Sequence, residues 1–232
     1  PASMTKIMTA YLAVEYISNL DDSMTVPYDI FDALYAEDAS LAGFAPGETS
    51  SFRNLLYGVL LPSGAECCQS LARWISGSEE VFVELMNERA ASLGMTDTHF
   101  CNSTGLHDVN HYTTCTDLAL LLREALKNQN FREAFTSERR SVPPTAEHPE
   151  GFTFHSTMFR FMDSASVTGG EILGGKTGFT DEAGQCLASL ASVNGQEYIL
   201  VTAGANGDHT TDQYHILDAV NVYSRLGEMT AS

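Results

Sequence analysis

Lysine is almost missing from this chain: among 232 residues there are only Lys6, Lys127 and Lys176. Average usage would give roughly a dozen or more. Basic charge is short overall, with 12 Lys and Arg against 30 Asp and Glu and a net charge of −18. That deficit argues against nucleic acid and anionic membrane surfaces as partners. The acidic excess reads as a solvated face, and an anionic ligand would have to be attracted by local groups. No apolar run approaches the roughly 20 residues that a membrane-spanning helix needs. No segment reads as a signal peptide. The five cysteines, Cys67, Cys68, Cys101, Cys115 and Cys186, contain no CxxC pair with zinc-like spacing. Their odd number leaves at least one thiol unpaired within the chain. A Cys101–Cys115 disulfide is one option, and small buried hydrophobes are the plainer reading. Cysteine usage therefore leaves the compartment open.

What is present is ordinary for a globular protein, with 44% hydrophobic and 18% charged residues. The length suits one substantial core or two subdomains sharing a cleft. Met4, Ile7, Met8, Tyr11, Leu12 and Ile17 recur at helical spacing and predict a helix over 3–18. Residues 21–50 read as irregular. Helices are predicted over 51–61 and, after the break at Pro62-Ser63-Gly64, over 65–75. Ser78 caps a further helix to about 93. Residues 95–114 read as a loop, then Thr116 caps a helix over 117–127, with a shorter one at 131–136. After Pro143-Pro144 the pattern changes to strands over 172–177, 186–193 and 197–203. Asn194-Gly195 joins the last two as a type I′ hairpin. A final helix starts at Thr211 or Asp212 and runs to about 226. Helices followed by an antiparallel group and a closing helix make the fold class α+β.

Scarce lysine is placed where chemistry could use it. Lys6 closes Ser3-Met4-Thr5-Lys6, and Lys176 opens Lys176-Thr177-Gly178. An amine can lose its proton on burial or beside another cation, whereas a guanidinium stays charged. On one helix Ser3 and Lys6 lie a turn apart on a shared face. Ser-x-x-Lys alone is weak, since roughly one chance match is expected in a chain this long. An N-capping serine with a solvated lysine explains it equally well. The combination with Lys-Thr-Gly on a glycine-bordered strand is stronger. Ser63-Gly64-Ala65 stands between them in chain order, with Ala65 where the corresponding motif carries Asn, and Ser63 could also be a plain helix cap. His107, Asp108 and His111 could be read as a metal cluster, but a structural loop is favoured and no metal is expected.

On these motifs the chain resembles the secreted D-alanyl-D-alanine carboxypeptidases, the low-molecular-weight penicillin-binding proteins. Pro1-Ala2-Ser3-Met4-Thr5-Lys6-Ile7-Met8-Thr9-Ala10 is similar to their nucleophile helix, and Leu55 to Gly64 to their second motif. The segment Gly94 to Phe100, with Asn102, Gly105-Leu106-His107-Asp108 and Asn110 to Thr114, resembles a loop of that group. Gly174 to Gly184 is the most specific stretch. The resemblance implies a DD-peptidase/β-lactamase-like fold, with a mostly helical part over 1–165 and a sheet plus C-terminal helix over 166–232 in a single catalytic domain. It implies that N-terminal strands of the sheet lie upstream of Pro1. Ser3 would attack the carbonyl between two terminal D-alanines, Lys6 would take its proton, Ser63 would relay a proton to the leaving amine, and Lys176 would lower the pKa of Lys6. The backbone of Ser3 and Phe179 would form an oxyanion hole. Thr177 and Lys176 would meet the substrate carboxylate beside Gly178. No cofactor is implied. The implied partners are peptidoglycan stem peptides ending in D-Ala-D-Ala, and β-lactams as covalent inhibitors. The implied location is extracytoplasmic, with a membrane reached only through an anchor outside this chain. Ala65 predicts slower acylation, or compensation by Glu66 or water. Residues 204–209 lack the arginine that many relatives carry, leaving His209 as a weak substitute. A binding module without turnover, and a β-lactamase of the same fold, are the competing readings.

Overall fold

The computed structural model describes residues 1–231. A 3₁₀ turn, Ala2–Thr5, runs directly into helix α1, Lys6–Tyr16. Every residue from Lys6 to Ala13 is buried, so α1 is the central post of a helical body rather than an amphipathic surface helix. Around it pack α3 (Phe52–Leu60), α4 (Ala65–Ser76), α5 (Glu79–Ser92), α6 (Cys115–Ala125) and α7 (Gln129–Phe135). Short polar side chains start several of these helices. Ser51 accepts a hydrogen bond from the Asn54 amide, and Ser78 accepts one from Val81. The α6 cap is Thr114, which accepts from Asp117, not Thr116. Both threonines precede an acidic residue, and the helix simply begins two residues earlier than the polarity pattern suggested.

The region over 21–50 is less irregular than its sequence reads. It holds β1 (Ser23–Thr25) paired with β2 (Thr49–Ser51), and the short helix α2 (Phe31–Ala36). A second small sheet pairs β3 (Arg139–Val142) with β4 (Phe152–His155). Its strands carry charge and are joined across Pro143-Pro144, so alternation alone does not reveal them. Phe152 and Phe154 pack edge-on against Phe44 and against each other, which fixes this hairpin to the body.

The main sheet is antiparallel, in the order β5 (Ser166–Val167), β6 (Gly170–Thr180), β7 (Gly184–Val193), β8 (Gln196–Ala205). Asn194 and Gly195 adopt φ of 49° and 80°, the left-handed pair that a tight hairpin requires. Helix α8 (Tyr214–Met229) covers one face of the sheet, and α6 and the rest of the helical body lie against the other. The three predicted strands run longer than expected by two to five residues in all, while the helix ends differ by up to three residues, α1 and α3 being shorter than predicted. Their kinds and order agree with the α+β reading. The centre of β6 runs beside the 3₁₀ turn at the head of α1, and that junction carries the site.

Candidate active site

The junction exists because Gly178 has no side chain. A Cβ there would lie 3.1 Å from the Ser3 nitrogen and 3.2 Å from the Met4 nitrogen, close enough to push the two backbones apart by a few tenths of an ångström. Gly105 does the same from the opposite side: its φ is +89°, and a Cβ would overlap the Ala2 carbonyl. Strand β6 and the 102–105 loop thus close on the residues that present Ser3.

Two serine–lysine pairs meet here. Lys6 Nζ donates to Ser3 Oγ at 3.0 Å and to the Thr104 carbonyl at 2.6 Å. Lys176 Nζ donates to Ser63 Oγ at 3.0 Å and to the Thr177 carbonyl at 2.9 Å. Both amines are buried. Burial pushes the pKa of Lys6 below its ordinary value, against the opposing pull of Cys68, Glu66 and Cys67. Burial, and then the neighbouring Lys6, push Lys176 well below its ordinary value. Like-charge repulsion between the two buried amines acts in the same direction as their burial. Both amines are biased toward the neutral form that can accept a proton. Burial raises the Cys68 thiol to about 12 and the Cys67 thiol well above its ordinary value. Neither thiol forms the thiolate that a competing nucleophile would need.

Ser3, Ser63, Thr177, Gly178 and Phe179 line one cleft with Thr157, Phe161, Gln185, Asp208, His209, Gln213 and His215. Lys6 and Lys176 stand behind its wall. Lys176 is fully buried, so the groups that β6 offers to a ligand are Thr177, Gly178 and Phe179, with Thr177 bonded to Thr157 at 2.6 Å between hydroxyls. No arginine lines this cleft among the described residues. The His209 ring meets the Phe179 ring edge-on at 4.7 Å. His215 is buried, its Nδ1 lies 3.0 Å from Gln185 Oε1, and burial lowers its pKa to about 4. It carries no charge at neutral pH.

Glu66 does not compensate for Ala65 by hydrogen bonding to Lys6. Its Oε1 accepts the amides of Ala42, Gly43 and Phe44, and its Oε2 has no partner. The Thr104 carbonyl holds Lys6 instead, a group no motif could reveal because every residue has one. The histidines near 107–111 do not converge. His111 Nδ1 accepts from the Cys101 amide, so Nε2 carries the proton and donates to Thr5 Oγ1 at 2.7 Å. Both ring nitrogens are thus spent on tying the loop at Cys101 to the 3₁₀ turn that leads into α1. His107 lies 3.7 Å from Glu182. The five cysteines are all free thiols, so Cys101 and Cys115 form no bridge.

A serine hydroxyl against a buried amine, at the seam between a helical body and an antiparallel sheet, is the arrangement of a serine hydrolase. The chain belongs to the D-alanyl-D-alanine carboxypeptidase family, peptidase family S11, which matches residues 1–207. It is 30% identical over 206 residues to the D-alanyl-D-alanine carboxypeptidase DacF of Bacillus subtilis, covering 89% of this chain and 51% of that protein. It is 31% identical over 210 residues to a D-alanyl-D-alanine carboxypeptidase of Streptomyces, covering 85% and 69%. The crystal structure of a Streptomyces DD-transpeptidase superposes with a TM-score of 0.83 at 26% identity, over 97% of this chain and 87% of that one. The chain spans about half the length of the Bacillus relative. No helix among the described residues is long and apolar enough to cross a membrane.

Proposed function

We propose that this chain is the catalytic unit of a serine D,D-carboxypeptidase that removes the terminal D-alanine from peptidoglycan stem peptides. The observation that carries this reading is Ser3 Oγ at 3.0 Å from the buried Lys6 amine, in a cleft also lined by Ser63 and Thr177. Neutral Lys6 takes the Ser3 proton as Oγ bonds to the carbonyl carbon between the two D-alanines. The amides of Ser3 and Phe179 receive the developing oxyanion. The carbon–nitrogen bond then breaks. The proton passes through Ser63, which Lys176 holds, to the leaving D-alanine amine. Water attacks the resulting ester and gives its proton to Lys6. The shortened peptide leaves with a free carboxylate, and the Ser3 hydroxyl is restored. Thr177 Oγ1 binds the terminal carboxylate, with Thr157 orienting its hydroxyl. Lys176 supports that contact from behind rather than touching the ligand.

A β-lactam would acylate Ser3 in the same way. The substrate class places the protein outside the cytoplasmic membrane. A binding module without turnover would be favoured by a lysine left unheld when Ala65 replaces an amide, but Thr104 holds Lys6. The test has two arms. Fluorescent penicillin labels the native chain and not Ser3→Ala, and a peptide ending in D-Ala-D-Ala releases free D-alanine above a heat-killed control. Labelling of Ser3→Ala overturns the assignment. Labelling of the native chain without D-alanine release leaves only the binding module.

A further inference from the structure

Lys6 is held from outside its own helix by a single carbonyl, and that carbonyl sits on a loop with unusual support. Asn102 Oδ1 accepts the amides of Thr104 and Gly105, at 3.2 and 2.7 Å, and the Thr104 hydroxyl at 3.2 Å. Thr9 Oγ1 donates to the Ser103 carbonyl at 2.7 Å. A second anchor from a distant element, besides Thr9 of α1, is Glu79, the first residue of α5. Its Oε1 accepts both the amide of Ser103, at 2.9 Å, and the Ser103 hydroxyl. Its Oε2 accepts from Gln69 on α4 at 3.0 Å. Ser103 is fully buried and Thr104 nearly so, so no solvent replaces these bonds if they are lost.

We infer that Glu79 is a positioning residue for the serine–lysine reaction: through Ser103 it fixes the Thr104 carbonyl, and through that carbonyl it aims the Lys6 amine at Ser3 Oγ. This rests on the proposed acylation chemistry. A carboxylate suits the task because its four lone-pair directions let it take two donors from one residue and a third from another helix. Alanine offers none. Glutamine keeps one acceptor oxygen for Ser103 and loses the bond from Gln69. The charged and titratable groups around Lys6 are Glu66, Cys67 and Cys68 on α4 and Lys176 on β6. None of them hydrogen-bonds to it, so apart from Ser3 Oγ the acceptor that steadies its protonated form is the Thr104 carbonyl.

Two effects follow from releasing that carbonyl. The amine loses its aim, which lowers the limiting rate of acylation. Its protonated form also loses an acceptor, which moves the acidic limb of the pH profile to lower pH. The experiment measures penicillin acylation per titratable Ser3 across pH 5–10 for the native chain, Glu79→Ala, Glu79→Gln and Ser103→Ala. Glu79→Ala is expected to drop the plateau roughly tenfold to a hundredfold, as a misplacement of about 1 Å can do, and to shift the acidic limb downward. Glu79→Gln recovers most of the plateau. Ser103→Ala, which removes the hydroxyl but keeps the amide, gives a smaller loss in the same direction and serves if Glu79→Ala fails to fold. A residue that only stabilised the fold would reduce the fraction of titratable sites and leave rate and limb per site unchanged. That result overturns the inference. A native chain that takes no penicillin label would instead overturn the proposed function.

Discussion

The two serine–lysine pairs have the same hydrogen-bond length, 3.0 Å, and different origins. Ser3 and Lys6 are three residues apart, so the helix that carries Lys6 nearly guarantees their meeting. Ser63 and Lys176 are 113 residues apart, and their meeting depends on how β6 docks against the helical body. Both serines are presented with the help of a non-glycine residue in the left-handed region. Ala2, just before Ser3, has φ of 48°, and Ser63 itself has 71°. Such backbone is costly and persists only where the surroundings impose it. For Ala2 the surroundings are Gly105 and Gly178, which allow two backbones to close on it. For Ser63 they include the segment just before it in space: the Ala65 amide donates to the Ser40 carbonyl at 2.8 Å, and Glu66 clamps the amides of Ala42, Gly43 and Phe44. In the proposed mechanism the local pair supplies the nucleophile and base. The long-range pair couples that chemistry to the fold.

The sharpest way to separate the pairs is to remove the ability of each amine to lose its proton. Lys6→Arg keeps the charge and cannot act as a base. Penicillin acylation is expected to fall by about 10³-fold or more, within the range for losing a general base. Lys176→Met keeps most of the apolar volume and loses the bonds to Ser63 Oγ and the Thr177 carbonyl, so its fall is expected to be smaller. Equal losses, measured as acylation rates on folded protein, would dissolve the distinction between base and support. Next in size is the seam itself. Gly178→Ala forces β6 away from Ser3 and Met4. Roughly a tenfold to hundredfold loss of acylation is expected, with Ser63 and Lys176 still paired. An unchanged rate would show that β6 does not set the position of Ser3.

The same contrast explains what the sequence could show. The Ser3–Lys6 pair was legible because helical periodicity in Met4, Ile7, Met8, Tyr11 and Leu12 puts both residues on one element. Lys176, Thr177 and Gly178 were legible as a motif, and the Asn194-Gly195 turn gave the pairing of β7 and β8. The depth of burial was not. Both Lys6 and Lys176 are enclosed from many sides, which lowers their pKa values, and no spacing encodes that. Thr104 was invisible because a backbone carbonyl has no sequence signature. Glu79 stands in the first turn of its helix, where the macrodipole alone would account for an acidic residue, so the sequence does not single it out. The β3–β4 hairpin was missed because Phe152 and Phe154 find their partner in Phe44, more than a hundred residues away along the chain.

The long-range pair also leaves a mark on stability. The ordinary lysine value is 10.5, and burial holds Lys176 well below it. Between its folded-state pKa and 10.5 the unfolded chain binds more protons at this site than the folded one, so stability rises with pH across that window. As pH falls from 10.5 toward the folded value, that part of the stability is progressively lost. Lys176→Met removes the site from the balance. Its melting temperature, relative to the native chain, is expected to be most favourable near neutral pH and to lose that advantage toward pH 10. Parallel pH dependences for the two proteins would mean that Lys176 keeps its proton in the folded state.

The smallest effect isolates the backbone under Ser63. Ser63→Ala and Ser63→Gly both remove the hydroxyl and leave Lys176 Nζ with the Thr177 carbonyl alone, so both are expected to slow acylation to a similar degree. They differ in the left-handed φ of 71°. Alanine bears the Cβ strain of that conformation and glycine does not, a difference of about 1 kcal/mol, reduced by glycine's greater freedom in the unfolded chain. Chemical denaturation is therefore expected to rank Ser63→Gly above Ser63→Ala, with matched acylation rates. The reverse ranking would mean that the backbone relaxes out of the left-handed region once the hydroxyl is gone. In that case the Ser63–Lys176 bond, rather than the Glu66 clamp and the Ser40 contact, holds the serine in place.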